Sequence, residues 1–205
     1  MSSRLLFVRS FPVRAFSCLS FLVASILLTN QAGALPRTWI GGNVDWVDAG
    51  ASTNWNPNDE PDSDDEAIFN TANTVNLGSN NATNGLTMSG GIDLLINDFD
   101  LTVDGLVQLT GAGTNLFVGG AAGSIDADNV TINGGVLELT GGALTLNEEV
   151  GASLLDLNAG GTLAGNGVIS FADAPLAFTT VFSNDGALTA FSRPLIIFGA
   201  PPVGT

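Results

Sequence analysis

The chain of 205 residues contains no histidine, no tyrosine and no lysine, and its five basic residues are all arginines: Arg4, Arg9, Arg14, Arg37 and Arg193. It has one cysteine, Cys18. Each absence excludes something. Without histidine, and with its one thiol close to the N-terminus, the chain lacks the parts of a Ser-His-Asp or Cys-His nucleophilic arrangement. Without lysine it lacks the clustered positive charge that phosphate backbones and anionic membranes require, so nucleic acid is excluded as a partner. A single cysteine makes no disulfide framework, and stability has to come from burial and backbone pairing.

Long apolar runs are also missing. The longest, Phe16 to Leu28, has thirteen residues, short of the roughly 20 needed to span a bilayer as a helix. Three arginines precede it, and Ala32-Gly33-Ala34 follows it as an A-x-A cleavage signature. Residues 1–34 therefore read as a removable secretory signal, and the protein is expected to be secreted or at the cell surface, with no membrane span after cleavage. Cys18 would leave with the signal. The mature chain, 35–205, would carry two arginines and all twenty acidic residues, a formal charge of 2 − 20 = −18.

That charge does not make the chain a disordered polyanion, because Leu, Val, Ile and Phe are frequent and regularly placed. Residues 35–66 form an N-terminal segment holding Trp39, Trp46 and Trp55 and the acidic loop Asp59-Glu-Pro-Asp-Ser-Asp-Asp-Glu66. From Ala67 onward, short apolar alternations are separated by Gly, Asn and Asp. In Asp98-Phe-Asp-Leu-Thr-Val-Asp104, Phe99, Leu101 and Val103 fall on one face. The same period of two recurs at Leu86/Met88, Val107/Leu109, Leu116/Val118, Val130/Ile132, Leu137/Leu139, Leu144/Leu146, Leu155/Leu157, Ile169/Phe171 and Leu176/Phe178. It means strands with one buried and one wet face. No segment has a 3.6-residue apolar period, so the expected class is all-β.

Gly-Gly pairs at 90–91, 119–120, 134–135, 141–142 and 160–161 punctuate these strands, as in Thr131-Ile-Asn-Gly-Gly-Val-Leu-Glu-Leu-Thr-Gly-Gly-Ala-Leu-Thr-Leu146. With no basic residue or helix beside them, they read as corners rather than anion-binding loops. A unit of this size cannot bury its own apolar face and has to stack on its neighbours. The expectation is a right-handed parallel β-helix over 67–205. At about twenty residues per turn, a spacing read from the corners, it would have six or seven turns, with the tryptophan segment capping one end. A β-sandwich is the alternative, with longer strands and more regular turn spacing.

Trp39-Ile-Gly-Gly-Asn, Trp46, Asn54-Trp55-Asn-Pro-Asn and Ala67-Ile-Phe-Asn70, together with Gly160-Gly-Thr-Leu-Ala-Gly-Asn-Gly-Val-Ile169, resemble secreted bacterial β-helix proteins with autotransporter-associated β-strand repeats. The resemblance covers most of 35–205. It implies an exported, non-catalytic structural or adhesive surface protein. Relatives of that type are long. The chain stops at Gly199-Ala-Pro-Pro-Val-Gly-Thr205 with no C-terminal barrel or sorting helix, so the repeat region is expected to be a fragment or a shortened frame.

Three groups of residues are candidates for chemistry. Asp59, Asp62, Asp64, Asp65 and Glu66 supply the clustered oxygen atoms that Ca²⁺ prefers, although the spacing is not that of an EF-hand; a solvated loop is the alternative. Trp39, Trp46 and Trp55 could form a platform for sugar rings of an extracellular polysaccharide, or else plug the open end of the solenoid. Glu138 and Asp156 could pair as glycosidase carboxylates. β-Helix polysaccharide enzymes lean on a basic residue or histidine beside clustered acids, and only Arg37 and Arg193 are present. The expectation is therefore that the protein is not an enzyme, that neighbouring surface proteins or polysaccharide are its partners, and that Ca²⁺ is the one cofactor to consider. Asn81-Ala-Thr83 and Asn129-Val-Thr131 match the glycosylation sequon, a match that chance explains in so Asn- and Thr-rich a chain.

Overall fold

A computed structural model describes residues 34–46, 51–147, 153–171, 181–184, 186–190 and 196–198. They belong to one unit, Ala34–Thr205. The leader before Ala34 and the Leu176/Phe178 alternation lie outside the described residues.

The alternating segments form strands that coil into a parallel β-solenoid. Each turn contributes three segments. The first face is built from Asn81–Thr83, 100–103, 124–127, Ala143–Leu146, Val168–Phe171 and Ile196–Phe198. The second is built from Asp65–Phe69, Gly85–Met88, 106–110, 129–133, Leu154–Leu157 and Val181–Asn184. Together with Leu35–Trp39 and Trp55–Asn56 of the N-terminal segment, these two faces make up one twelve-stranded sheet. The third face is a six-stranded sheet of Thr74–Asn76, Asp93–Asn97, Asn115–Gly119, Val136–Thr140, Thr162–Gly165 and Ala187–Ala190. Apart from the pairing of Leu35–Trp39 with Trp55–Asn56, all pairings between described strands are parallel. Parallel stacking of short strands is what a sandwich of antiparallel sheets would not show.

Register makes columns of like side chains along the solenoid. On the third face Val75, Leu94, Leu116, Leu137, Leu163 and Leu188 follow one another in pairing, five steps in all. The solenoid thus has about five turns rather than six or seven. The step lengthens from 19 residues between Val75 and Leu94 to 26 between Leu137 and Leu163, so a constant twenty overcounts. The first five of these side chains are fully buried, as are Leu86, Met88, Leu109, Ile132, Leu155 and Leu157 of the second face. Full burial of one Val, Leu or Ile side chain is worth about 1.5–3 kcal/mol, and one continuous cluster of them fills the solenoid.

Two local features depart from the simple alternation. The 100–110 and 124–133 strands run 11 and 10 residues, each crossing from the first face to the second, and the register between them shifts at Ala127/Asn129. The expected start of the former at Asp98 is instead a corner, with Asp98 at φ 53° and Phe99 only partly buried against the core. The Gly-Gly pairs do serve as corners. Gly90 shows why glycine is needed there: its φ is +74°, and a Cβ would lie 2.4 Å from the carbonyl oxygen of Asn70.

The N-terminal segment adds to the same sheet rather than standing apart. Leu35–Trp39 pairs in parallel with Asp65–Phe69, the strand that begins the second face, and in antiparallel with Trp55–Asn56. Trp39, Trp46, Trp55 and Phe69 close this end of the core. Ring centroids lie 5.0 Å apart for Trp39–Trp55, 5.2 Å for Trp46–Trp55 and 5.2 Å for Trp55–Phe69, in edge-on or tilted arrangements. Such geometries suit the charge distribution of aromatic rings. Gly41 of the Trp-Ile-Gly-Gly motif lets the backbone pass over the indole: a Cβ there would meet Trp39 Cζ2 at 2.6 Å.

Candidate functional site

Among the described residues, a surface groove lies on the outer side of the second face, near the capped end. It is an open groove of about 220 Å³ lined by Ala34, Glu66, Asn84, Gly85, Thr87, Leu106 and Gln108. Its side chains come from three consecutive turns. Thr87 lies between the inward Leu86 and Met88, and Gln108 between the inward Val107 and Leu109, so both point outward by the pleat. Parallel register then stacks them: Thr87 pairs with Gln108, Gln108 with Thr131 and Thr131 with Asp156. At one end Thr87 Oγ1 donates to Glu66 Oε1 at 2.7 Å. Leu106, 42 % exposed, supplies an apolar wall. The groove therefore presents one carboxylate, two amides, a hydroxyl and an aliphatic surface, a set that can both donate to and accept from neutral polar ligands.

The acidic loop is not gathered into a metal cage. Asp65 is buried and accepts from Arg37 Nε at 3.0 Å, while Asp59 accepts from Arg37 Nη2 at 3.3 Å. Asp62 Oδ1 accepts the backbone N–H of Asp64 at 2.9 Å, a local turn. Glu66 turns away to Thr87, and Glu60 Oε1 accepts from Asn81 Nδ2 at 2.9 Å. Among the described residues no three acidic side chains converge as metal ligands. Burial, opposed by the Asn81 hydrogen bond and reinforced by the neighbouring Asp59 charge, raises the Glu60 carboxyl above its ordinary value.

The three tryptophans converge, but inward. Each is fully buried, and the indole Nε1 groups have no hydrogen-bond partner. A ring that stacks on a sugar has to offer a face to solvent, and these rings are covered by one another and by Phe69. This corrects the platform expectation: the burial that closes the core end removes the aromatic faces from any ligand. Glu138 and Asp156 do not meet either. Glu138 sits on the third face and accepts from Thr140, whereas Asp156 sits on the second and accepts from Asn158. The two sequon asparagines act in structure: Asn81 ties down Glu60, and Asn129 Oδ1 accepts the Leu154 N–H at 2.9 Å.

Elsewhere on the outer surface, polar side chains join one turn to the next. Asn115 Nδ2 donates to Asp93 at 2.6 Å, Ser124 Oγ to Asp100 at 2.5 Å, and Asn76 Nδ2 to Asp45 at 3.1 Å. On the first face the Asp126 carboxyl is raised above its ordinary value by partial burial and by the nearby Asp104 charge. No described helix is long and apolar enough to cross a membrane. The groove residues Asn84, Thr87, Leu106 and Gln108 were not singled out by sequence reasoning. The alternation marks Thr87 and Gln108 as outward, but only the register makes them neighbours. The chain matches no family model, no curated protein and no solved structure.

Proposed function

We propose that the protein is exported and serves as a non-catalytic structural or adhesive element at the cell surface. The observation that carries this reading is the continuous core of stacked Leu, Ile and Val under an outer surface whose Asn, Asp, Ser and Thr side chains bond from turn to turn. A solenoid built this way is a stiff spacer in which each turn contacts only its neighbours. Its acidity favours solubility and disfavours polyanionic partners. The signal-like leader and the resemblance to autotransporter-associated β-strand repeats point the same way. Fractionation of the producing cells, with surface labelling, tests it: the protein should be found outside the inner membrane, and its deletion should lower attachment or cell–cell association. Recovery from the cytoplasm alone would sink the reading.

A second reading, a carbohydrate-binding module, is favoured by the groove rather than by the tryptophans. Glu66, Asn84, Thr87 and Gln108 are of the types that bond sugar hydroxyls, and Leu106 offers an aliphatic contact. Thr87→Ala/Gln108→Ala should abolish retention on a polysaccharide column if the groove binds. Unchanged retention would remove this reading.

A further inference from the structure

The groove ends at Ala34, the last residue of the A-x-A signature, and the paired strand Leu35–Trp39 begins at the very next residue. We infer that processing after Ala34 builds a contact as well as removing a leader: the new α-ammonium of Leu35 seats against the Glu66 carboxylate in this groove and fastens the first strand to the solenoid. The inference rests on the export reading. Hydrolysis of the Ala34–Leu35 peptide bond places OH on the Ala34 carbonyl carbon and hydrogen on the Leu35 nitrogen, which takes up a further proton at neutral pH.

Three observations carry it. The first is placement. Leu35 pairs with Asp65 and Pro36 with Glu66, so the new terminus starts directly beside the strand that bears Glu66. Ala34 and Glu66 line one groove, and loss of Ala34 opens that wall beside the carboxylate.

The second is charge. Glu66 is the one ionisable residue lining the groove. It accepts a hydrogen bond from Thr87 through Oε1, and a carboxylate has two oxygens with room for further donors. An α-ammonium has an ordinary pKa of about 7.7–8.0 and is mostly charged at pH 7. The only other cations from Leu35 onward are Arg37 and Arg193, and Arg37 is taken up by Asp59 and Asp65. In so acidic a chain the terminal ammonium is the natural partner for this carboxylate.

The third is access. A peptide bond adjoining a paired strand cannot enter a protease cleft in extended form, so cleavage precedes docking of Leu35–Trp39. Closure of the tryptophan end, which includes Trp39, is thereby placed after export.

The absence of lysine makes the test direct. The full precursor is produced in a bacterial export host, and the exported chain is sequenced from its N-terminus, with Leu35 expected. Acetylation of amines then modifies only the α-amine and removes its charge, whereas reductive dimethylation keeps the charge. Acetylation should lower the melting temperature by about 2–4 °C, the shift that loss of one modest interaction gives in a domain of this size. Dimethylation should leave it nearly unchanged, and the exported Glu66→Gln chain should not respond to acetylation. If that variant is not recovered, the two modifications of the wild-type chain decide alone. A chain beginning at Leu35 that melts alike after both modifications, or a Glu66→Gln chain that still responds to acetylation, overturns the inference while leaving export standing. An exported chain that begins at any other residue likewise overturns the inference alone, whereas a chain that stays in the cytoplasm with its leader intact overturns both.

Discussion

Arg37 Nε donates to Asp65 Oδ2 at 3.0 Å across two parallel strands, with the two side chains only 12 % and 5 % exposed. The same guanidinium reaches Asp59, whose side chain is 69 % exposed, at 3.3 Å. The two contacts should differ sharply in worth. Arg37→Ala leaves the Asp65 carboxylate buried without its counter-charge and is expected to cost about 3–5 kcal/mol. Asp59→Ala removes a solvent-screened contact worth about 0–1 kcal/mol. Urea unfolding of both variants checks this; equal losses would contradict the assignment of Asp65 as the buried partner.

The tryptophan cluster makes a spectroscopic prediction. Three fully buried indoles should give blue-shifted emission that acrylamide quenches poorly, with a large red shift on unfolding. Trp55→Ala, in contact with both other indoles and Phe69, should cost about 3–5 kcal/mol. Added polysaccharide should leave the emission of the folded protein unchanged.

Adjacent glycines of one motif should behave oppositely. A Cβ on Gly41 would press into the Trp39 ring at 2.6 Å, whereas a Cβ on Gly42 meets nothing within 4 Å. Gly41→Ala should be destabilising by about 1–3 kcal/mol, the range for overpacking a well-filled site. Gly42→Ala should be neutral within about 0.5 kcal/mol, as an ordinary surface change is. Thermal melts of the pair decide.

Glu60 and Asp126 set a pH dependence. Both carboxyls are raised in the folded state, mainly by burial, so the native state holds its protons to higher pH than the unfolded chain does. By linkage, these two groups make stability fall as pH rises from the unfolded carboxylate range through their raised folded values. The converse is a gain on mild acidification from neutral pH. Glu60→Gln and Asp126→Asn should each raise the melting temperature at pH 7, and the advantage should fade towards pH 4. An advantage that grows on acidification would contradict the sign.

The inward half of each strand was legible because a period of two is a local property: Leu137/Leu139 and Leu144/Leu146 mark a buried face whatever they pair with. Pairing itself was not legible. A parallel partner lies 19 to 26 residues away on the third face, and nothing near Leu137 encodes that Leu116 and Leu163 flank it. For the same reason the even turn length failed, since lengthened corners do not disturb the strands. The acidic loop reads as one cluster in sequence, yet Asp65 and Glu66 point to opposite sides of a strand while Asp62 closes a turn. Arg37 and Asp65, 28 residues apart, carry no local signal of their contact.

The stacking of turns is tested most directly by spin-label distances along one column. Thr87, Gln108, Thr131 and Asp156 follow one another in register on the outer second face. Cysteine pairs can be placed there in the chain from Leu35 onward, which has no thiol of its own. With neighbouring parallel strands about 4.8 Å apart, label separations should rise steadily from Thr87/Gln108 to Thr87/Thr131 to Thr87/Asp156, by about one strand spacing each. Separations that fail to increase in that order would contradict the solenoid.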